Sequence, residues 1–141
     1  MASQEQLNRA LAELQLLERL ISDLQARVMT LDSAVDEHER TLKLVEEIKK
    51  NGGSLSILIP IGAGSFVKGE LVNVENIHVN VGAGVILVKS LDESQQLIIR
   101  RTEELRKLRE ETTKRLDEYV ARAYELRQFL ETVVARQQQG R

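Results

Sequence analysis

From Leu7 to Val45 the chain places a seam residue at almost every third or fourth position: Leu7, Leu11, Leu14, Leu17, Ile21, Leu24, Val28, Leu31, Val35, His38, Leu42 and Val45. The steps alternate between three and four with one exception, Leu14 to Leu17. That is the a/d rhythm of a coiled coil held for more than five heptads. No Pro or Gly interrupts it, and Lys49-Lys50-Asn51 followed by Gly52-Gly53 supplies the stop. The basic residues suit the negative end of the helix dipole, and the glycines are free to take positive φ. Residues 1–50 therefore read as one long helix, which needs a partner helix to cover its seam.

The partner is at the other end of the chain. Leu91, Ser94, Ile98, Arg101, Leu105, Leu108, Thr112, Leu116, Tyr119, Ala123, Leu126, Leu130 and Val133 repeat the pattern, with two steps of four around Thr112 that read as a stutter. Ser90 followed by Glu93 is a capping box that opens this second helix over residues 91–141. Each arm holds about 45 helical residues, roughly 65 to 70 Å at ~1.5 Å per residue. Equal arms on either side of a turn-rich centre match what an antiparallel hairpin requires.

Composition narrows the class further. Aromatic residues make up 3% of the chain and charged residues 30%, so the bulky side chains of a compact enzyme core are scarce. Residues 1–50 carry 7 basic and 10 acidic side chains and residues 91–141 carry 11 and 10, so neither arm presents a basic face for nucleic acid. The absence of Cys excludes thiol chemistry and disulfides. No apolar stretch approaches the ~18 residues of a membrane span, and a cytoplasmic location is expected. Abundant Lys, Arg and Glu suit a hot habitat while ten Gln residues argue against it, which leaves growth temperature open. His38 within Asp36-Glu37-His38-Glu39 lacks metal-ligand spacing, because adjacent helical residues point in different directions.

Residues 51–90 differ from both arms, with seven of the eight Gly, the only Pro and four charges. Leu55, Ile57, Ile59 and Ile61 alternate with Ser54, Ser56, Leu58 and Pro60, and Ile77, Val79 and Val81 alternate with polar Asn76, His78 and Asn80. Both runs read as strands with one buried face. Phe66–Val72, containing Val67, and Val85–Val88, containing Leu87, are the returning strands of two successive β-hairpins. The Gly62-Ala63-Gly64 and Gly82-Ala83-Gly84 segments lack the Lys, the third Gly and the following helix of a phosphate or dinucleotide loop, and read as hairpin turns. Four strands cannot close a barrel, and they leave an apolar face and unpaired edges. The centre is therefore expected to be an assembly device completed by other subunits, through Leu55, Ile57, Ile59, Ile61, Phe66, Val67, Ile77, Val79, Val81, Val85 and Leu87. The fold class is α+β, mainly α: a long antiparallel coiled-coil hairpin with two central β-hairpins that contribute to an oligomeric β-barrel.

This layout, with Pro60-x-Gly62 leading into Phe66-Val67-Lys68-Gly69 and Val79-x-Val81-Gly82-x-Gly84 closing the second hairpin, resembles the alpha class of the archaeal-type prefoldin family over nearly the whole chain. Val85-Ile86 stands where members of that class often carry an aromatic, a departure that affects core packing. The resemblance implies a molecular chaperone rather than an enzyme, with no cofactor. It implies a hetero-hexamer with prefoldin beta-class subunits, two alpha to four beta, whose coiled-coil tips hold unfolded client proteins and pass them to a group II chaperonin without ATP. Apolar residues beyond the needs of one seam lie where those tips would be: Leu16 and Leu20, then Phe129 and Val134, beside Leu7, Leu11, Leu130 and Val133. Leu14 and Leu126 fit helix packing better. A competing reading is a structural tether that spaces two other components, although a simple tether has no need for two apolar hairpins.

Overall fold

The computed structural model describes residues 2–140 and contains two helices and four strands. Helix α1 (Gln4–Lys50) and helix α2 (Leu91–Gln139) bracket β1 (Leu55–Gly62), β2 (Ser65–Leu71), β3 (Asn76–Asn80) and β4 (Ile86–Ser90). The chain forms two compact units. A terminal unit joins the chain up to Ser33 with the chain from Arg106 onward, and a hairpin unit comprises Ala34–Leu105.

In the terminal unit the two helices run antiparallel. As α1 is followed back from Asp32 to Glu13, its ion-pair partners on α2 advance from Arg109 to Arg122. The core is a cluster of Ala10, Leu17, Ala123 and Leu126, against which Leu14, Ile21, Tyr119 and Leu130 pack. Here the expected seam needs correction, because Ala10 is buried and Leu11 is 47% exposed. With Ala10 in the seam the steps from Leu7 to Leu17 become three, four and three, and the irregularity at Leu14–Leu17 disappears. A long seam sets its register collectively, and an alanine can occupy a position where two backbones approach closely. Ala10 and Ala123 are both buried members of the cluster.

A second correction falls on α2. Thr102 is buried and its hydroxyl donates to the Ile98 carbonyl at 2.7 Å, so the seam takes it in place of Arg101. Arg101 instead donates to the Asn80 carbonyl at 3.0 Å. Leu108 is exposed, and half-buried Arg109 follows the seam register while reaching Asp32 at 3.1 Å. The two consecutive steps of four therefore fall at Ser94–Ile98–Thr102 rather than around Thr112.

Local signals set the helix ends. Ser3 and Gln6 form a reciprocal capping box at the start of α1, with N–H to side-chain distances of 2.9 and 3.2 Å. At its other end the Gly53 N–H donates to the Ile48 carbonyl and the Gly52 N–H to the Lys49 carbonyl, which is the Schellman arrangement. Gly53 has φ 90°, and a Cβ there would stand 2.9 Å from the Val74 carbonyl oxygen, so that position admits no side chain without a shift. Ser90 caps α2 through the Glu93 N–H.

The hairpin unit holds two separate two-stranded antiparallel sheets, β1–β2 and β3–β4. Ala63-Gly64 and Ala83-Gly84 turn them, with φ 49 and 69° and then 51 and 75°. Positive φ at both central residues is the I′ geometry that matches strand twist, so the glycine loops are turns. Lys49 ties the helix bases together through Asp92 at 2.5 Å and Gln95 at 2.8 Å. His38 donates from Nδ1 to the Ala34 carbonyl at 2.7 Å, as a satisfied seam histidine does. Among the described residues no group of His, Cys, Asp or Glu stands close enough to hold a metal, and no helix is long and apolar enough to cross a membrane.

Candidate functional site

Two surfaces carry exposed apolar side chains. In the terminal unit the seam is closed, with Ala123 fully buried, so the surplus residues stand outside a finished core. Interhelical ion pairs identify the flank to which each belongs. Arg122 clasps Glu13 through two nitrogens at 2.7 and 3.1 Å and also reaches Glu125. Arg127 meets Glu18 at 3.3 Å. The hydrogen bonds from Arg122 hold the Glu13 carboxyl below its ordinary pKa, and those to Glu13 and Glu125 raise that of Arg122.

Residues seven apart share a face of a coiled-coil helix, and residues three apart are neighbours. Phe129 is seven past Arg122, while Leu16 and Leu20 are three and seven past Glu13, so these three lie on the Glu13–Arg122 flank. Leu11 is seven before Glu18, and Val120, Tyr124 and Val134 stand at minus seven, minus three and plus seven from Arg127. These four lie on the Glu18–Arg127 flank. Leu16, Leu11, Phe129 and Val134 are exposed, Leu20 and Val133 are half-buried, and Leu130 packs on the core cluster. Leu7 lies half-buried in the seam. Val133 and Phe129 also line an open groove with Ala2 and Arg136. The sequence reading missed Val120 and Tyr124, the latter 62% exposed. The signal was available, since Val120 lies two heptads before Val134.

The hairpins form the second surface. Directly paired residues share a sheet face, so Ile59 with Val67 occupies one side of β1–β2 and Pro60 with Phe66 the other. Leu58, 68% exposed, joins Phe66 on that second side. That second side also bears Ser56, Lys68 and Glu70, so the hairpin is apolar along its first face and apolar on the other only toward the tip. Phe66 and Val67, grouped together in the sequence reading, point to opposite sides. Gly69 makes room on the first side, because a Cβ there would come within 2.6 Å of the Ile59 Cδ1. In the second hairpin Val79 pairs with Leu87, and Val79 is buried. On the reverse side Ile86 and Val88 are exposed beside Asn80 and His78. Leu55, Ile57 and Ile77 are half-buried, and Ile61, Val81 and Val85 are exposed.

The geometry fits a subunit that has completed its coiled coil and left its sheets open. Residues 17–136 match the family model described as prefoldin subunit. The chain belongs to the prefoldin family. Its relatives place it in the alpha class. It is 33% identical to prefoldin subunit alpha of Pyrobaculum calidifontis over 92% of this chain and 94% of the relative. It is 27% identical to that of Archaeoglobus fulgidus over 98% of each, and 38% identical to prefoldin subunit alpha 1 of Thermococcus kodakarensis over 64% of this chain, a match that spans 62% of the relative. A chain of the filamentous prefoldin of Methanocaldococcus jannaschii, solved by cryo-electron microscopy, shares the fold with a TM-score of 0.66. It is 19% identical, and the match covers 82% of this chain and 95% of that one.

Proposed function

We propose that this prefoldin subunit is a holding chaperone that assembles through its hairpins with other prefoldin subunits, two alpha-class to four beta-class. The terminal units then bind unfolded polypeptides, suppress their aggregation and release them to a group II chaperonin without ATP, in the cytoplasm. The observation that carries this reading is a closed seam with large apolar side chains left outside it, among them Leu16, Phe129 and Val134. A coiled coil has no use for them, and exposed apolar surface beyond packing needs marks a binding surface. Each contact is weak, at ~25 cal/mol per Å2 of apolar area buried, and several tentacles combine through effective concentration. Such a surface suits clients without a fixed shape. Transfer then requires only competition for the same exposed client segments, and no catalytic group.

The test removes residues 1–14 and 126–141 and follows light scattering of a chemically unfolded protein diluted into the reassembled complex without nucleotide. Intact assembly with lost suppression is the expected result. Loss of assembly, or unchanged suppression, would reject the placement of client binding at the chain ends.

A further inference from the structure

The two flanks of the terminal unit differ in charge around their aromatic residues. On the Glu18–Arg127 flank Tyr124 is bracketed one heptad on either side by Asp117 and Glu131. On the Glu13–Arg122 flank Phe129 is bracketed at the same spacing by Arg122 and Arg136. Among the described residues Asp117, Glu131 and Arg136 take part in no ion pair, so their charges remain available to a ligand. Arg122 is committed to Glu13 and Glu125, and Arg127 to Glu18. The uncommitted charge is therefore acidic beside Tyr124, whereas on the Phe129 flank Arg115 and Arg136 are offset by Asp23, seven past Leu16, and by Glu118, seven before Glu125.

Each flank also has its own apolar floor. Leu11, Val120 and Val134 accompany Tyr124, and Leu16 and Leu20 accompany Phe129. The closed seam and the two interhelical ion pairs lie between them, so a bound segment can run along one flank without parting the helices. We infer that the terminal unit offers two separate docking strips for extended, unfolded polypeptide: the Tyr124 flank takes apolar segments bearing Lys or Arg, and the Phe129 flank takes apolar segments of either charge. The inference rests on the client-binding reading above and adds the chemistry by which the Tyr124 flank selects. Apolar contact supplies most of the affinity, and exposed charge pairs, individually weak, set the preference.

The test uses the chain reassembled with its partner subunits and two 12-residue unstructured peptides with identical apolar residues, one carrying three Lys and the other three Glu. A photoreactive benzoylphenylalanine replaces Val120 in one preparation and Leu16 in another, so that each reports one flank of this subunit alone. The Lys peptide should crosslink at position 120 with about a threefold or greater preference over the Glu peptide, and the two peptides should crosslink alike at position 16. Adding Asp117→Asn and Glu131→Gln should abolish the preference at 120 and leave the ratio at 16 unchanged. All these side chains are exposed, so helical content and melting should change little, and circular dichroism checks this. Equal ratios at both positions, with aggregation still suppressed, would overturn the two-strip inference and leave the chaperone reading standing. No crosslinking at either position, with suppression intact, would reject both strips and place client contact elsewhere. Lost suppression by the unmodified complex would reject the chaperone reading itself.

Discussion

Val67 and Val134 are about equally exposed, at 44% and 52%, yet they stand in opposite circumstances. Val134 flanks a helix pair that already has a core of Ala10, Leu17, Ala123 and Leu126. Val67 lies on the apolar face of a two-stranded sheet that has free edges on both sides. The terminal unit keeps apolar surface in reserve on a finished structure, which suits weak, reversible contact. Two strands are marginal alone, so the hairpins display the interior of something larger. Exposure by itself does not separate a binding surface from an unfinished core; the state of the packing underneath does.

The sharpest way to break this contrast is to place the same charge in both. Val67→Asp should prevent assembly with partner subunits, because an uncompensated carboxylate buried in an apolar interface costs several kcal/mol. Val134→Asp should leave assembly intact. Native mass spectrometry of the two reconstitutions decides it, and equal behaviour would remove the distinction. Next in size is Ala123→Leu, which overfills a fully buried position in the cluster with Ala10, Leu17 and Leu126. It should destabilise the terminal helix pair by about 1–3 kcal/mol, read as a lower Tm by circular dichroism and as faster amide exchange confined to the terminal unit, while the complex still forms.

The smallest expected effect sharpens the account of the flanks. The Glu13 pKa is lowered in the folded chain by its bonds to Arg122. A lowered carboxyl contributes stability above its unfolded pKa of about 4.3, and that contribution is lost as pH falls through the folded value. The terminal pair should thus loosen slightly on acidification below about pH 4.3, and Glu13→Gln should be less stable at neutral pH with a flatter response. Amide exchange on both chains across that range would show it. Parallel profiles would mean that the clasp contributes nothing.

Much of this was legible in the residues. The helix spans followed from seam periodicity and from Gly52-Gly53, since the signals for starting and stopping a helix are local. The turns followed from Gly-Ala-Gly for the same reason. The competition between neighbours for one seam position was not legible. Ala10 against Leu11 and Thr102 against Arg101 were decided by how closely the helices approach and by where a hydroxyl or guanidinium finds its acceptor. The capping box at Ser3–Gln6 was readable in the sequence but went unused.

Sequence alone determined the element order, the antiparallel partnership of the arms and the need of the hairpins for further strands, because these depend on periodicity, turn chemistry and strand count. The tertiary structure decided which apolar residues are core and which are surplus, that both faces of the first hairpin are apolar at its tip, and that Tyr124 and Phe129 lie on different flanks. Those properties depend on cross-helix and cross-strand pairing. Which side of a seam a residue occupies is set by its partner on the other element, about a hundred residues away for the Glu13–Arg122 and Glu18–Arg127 clasps.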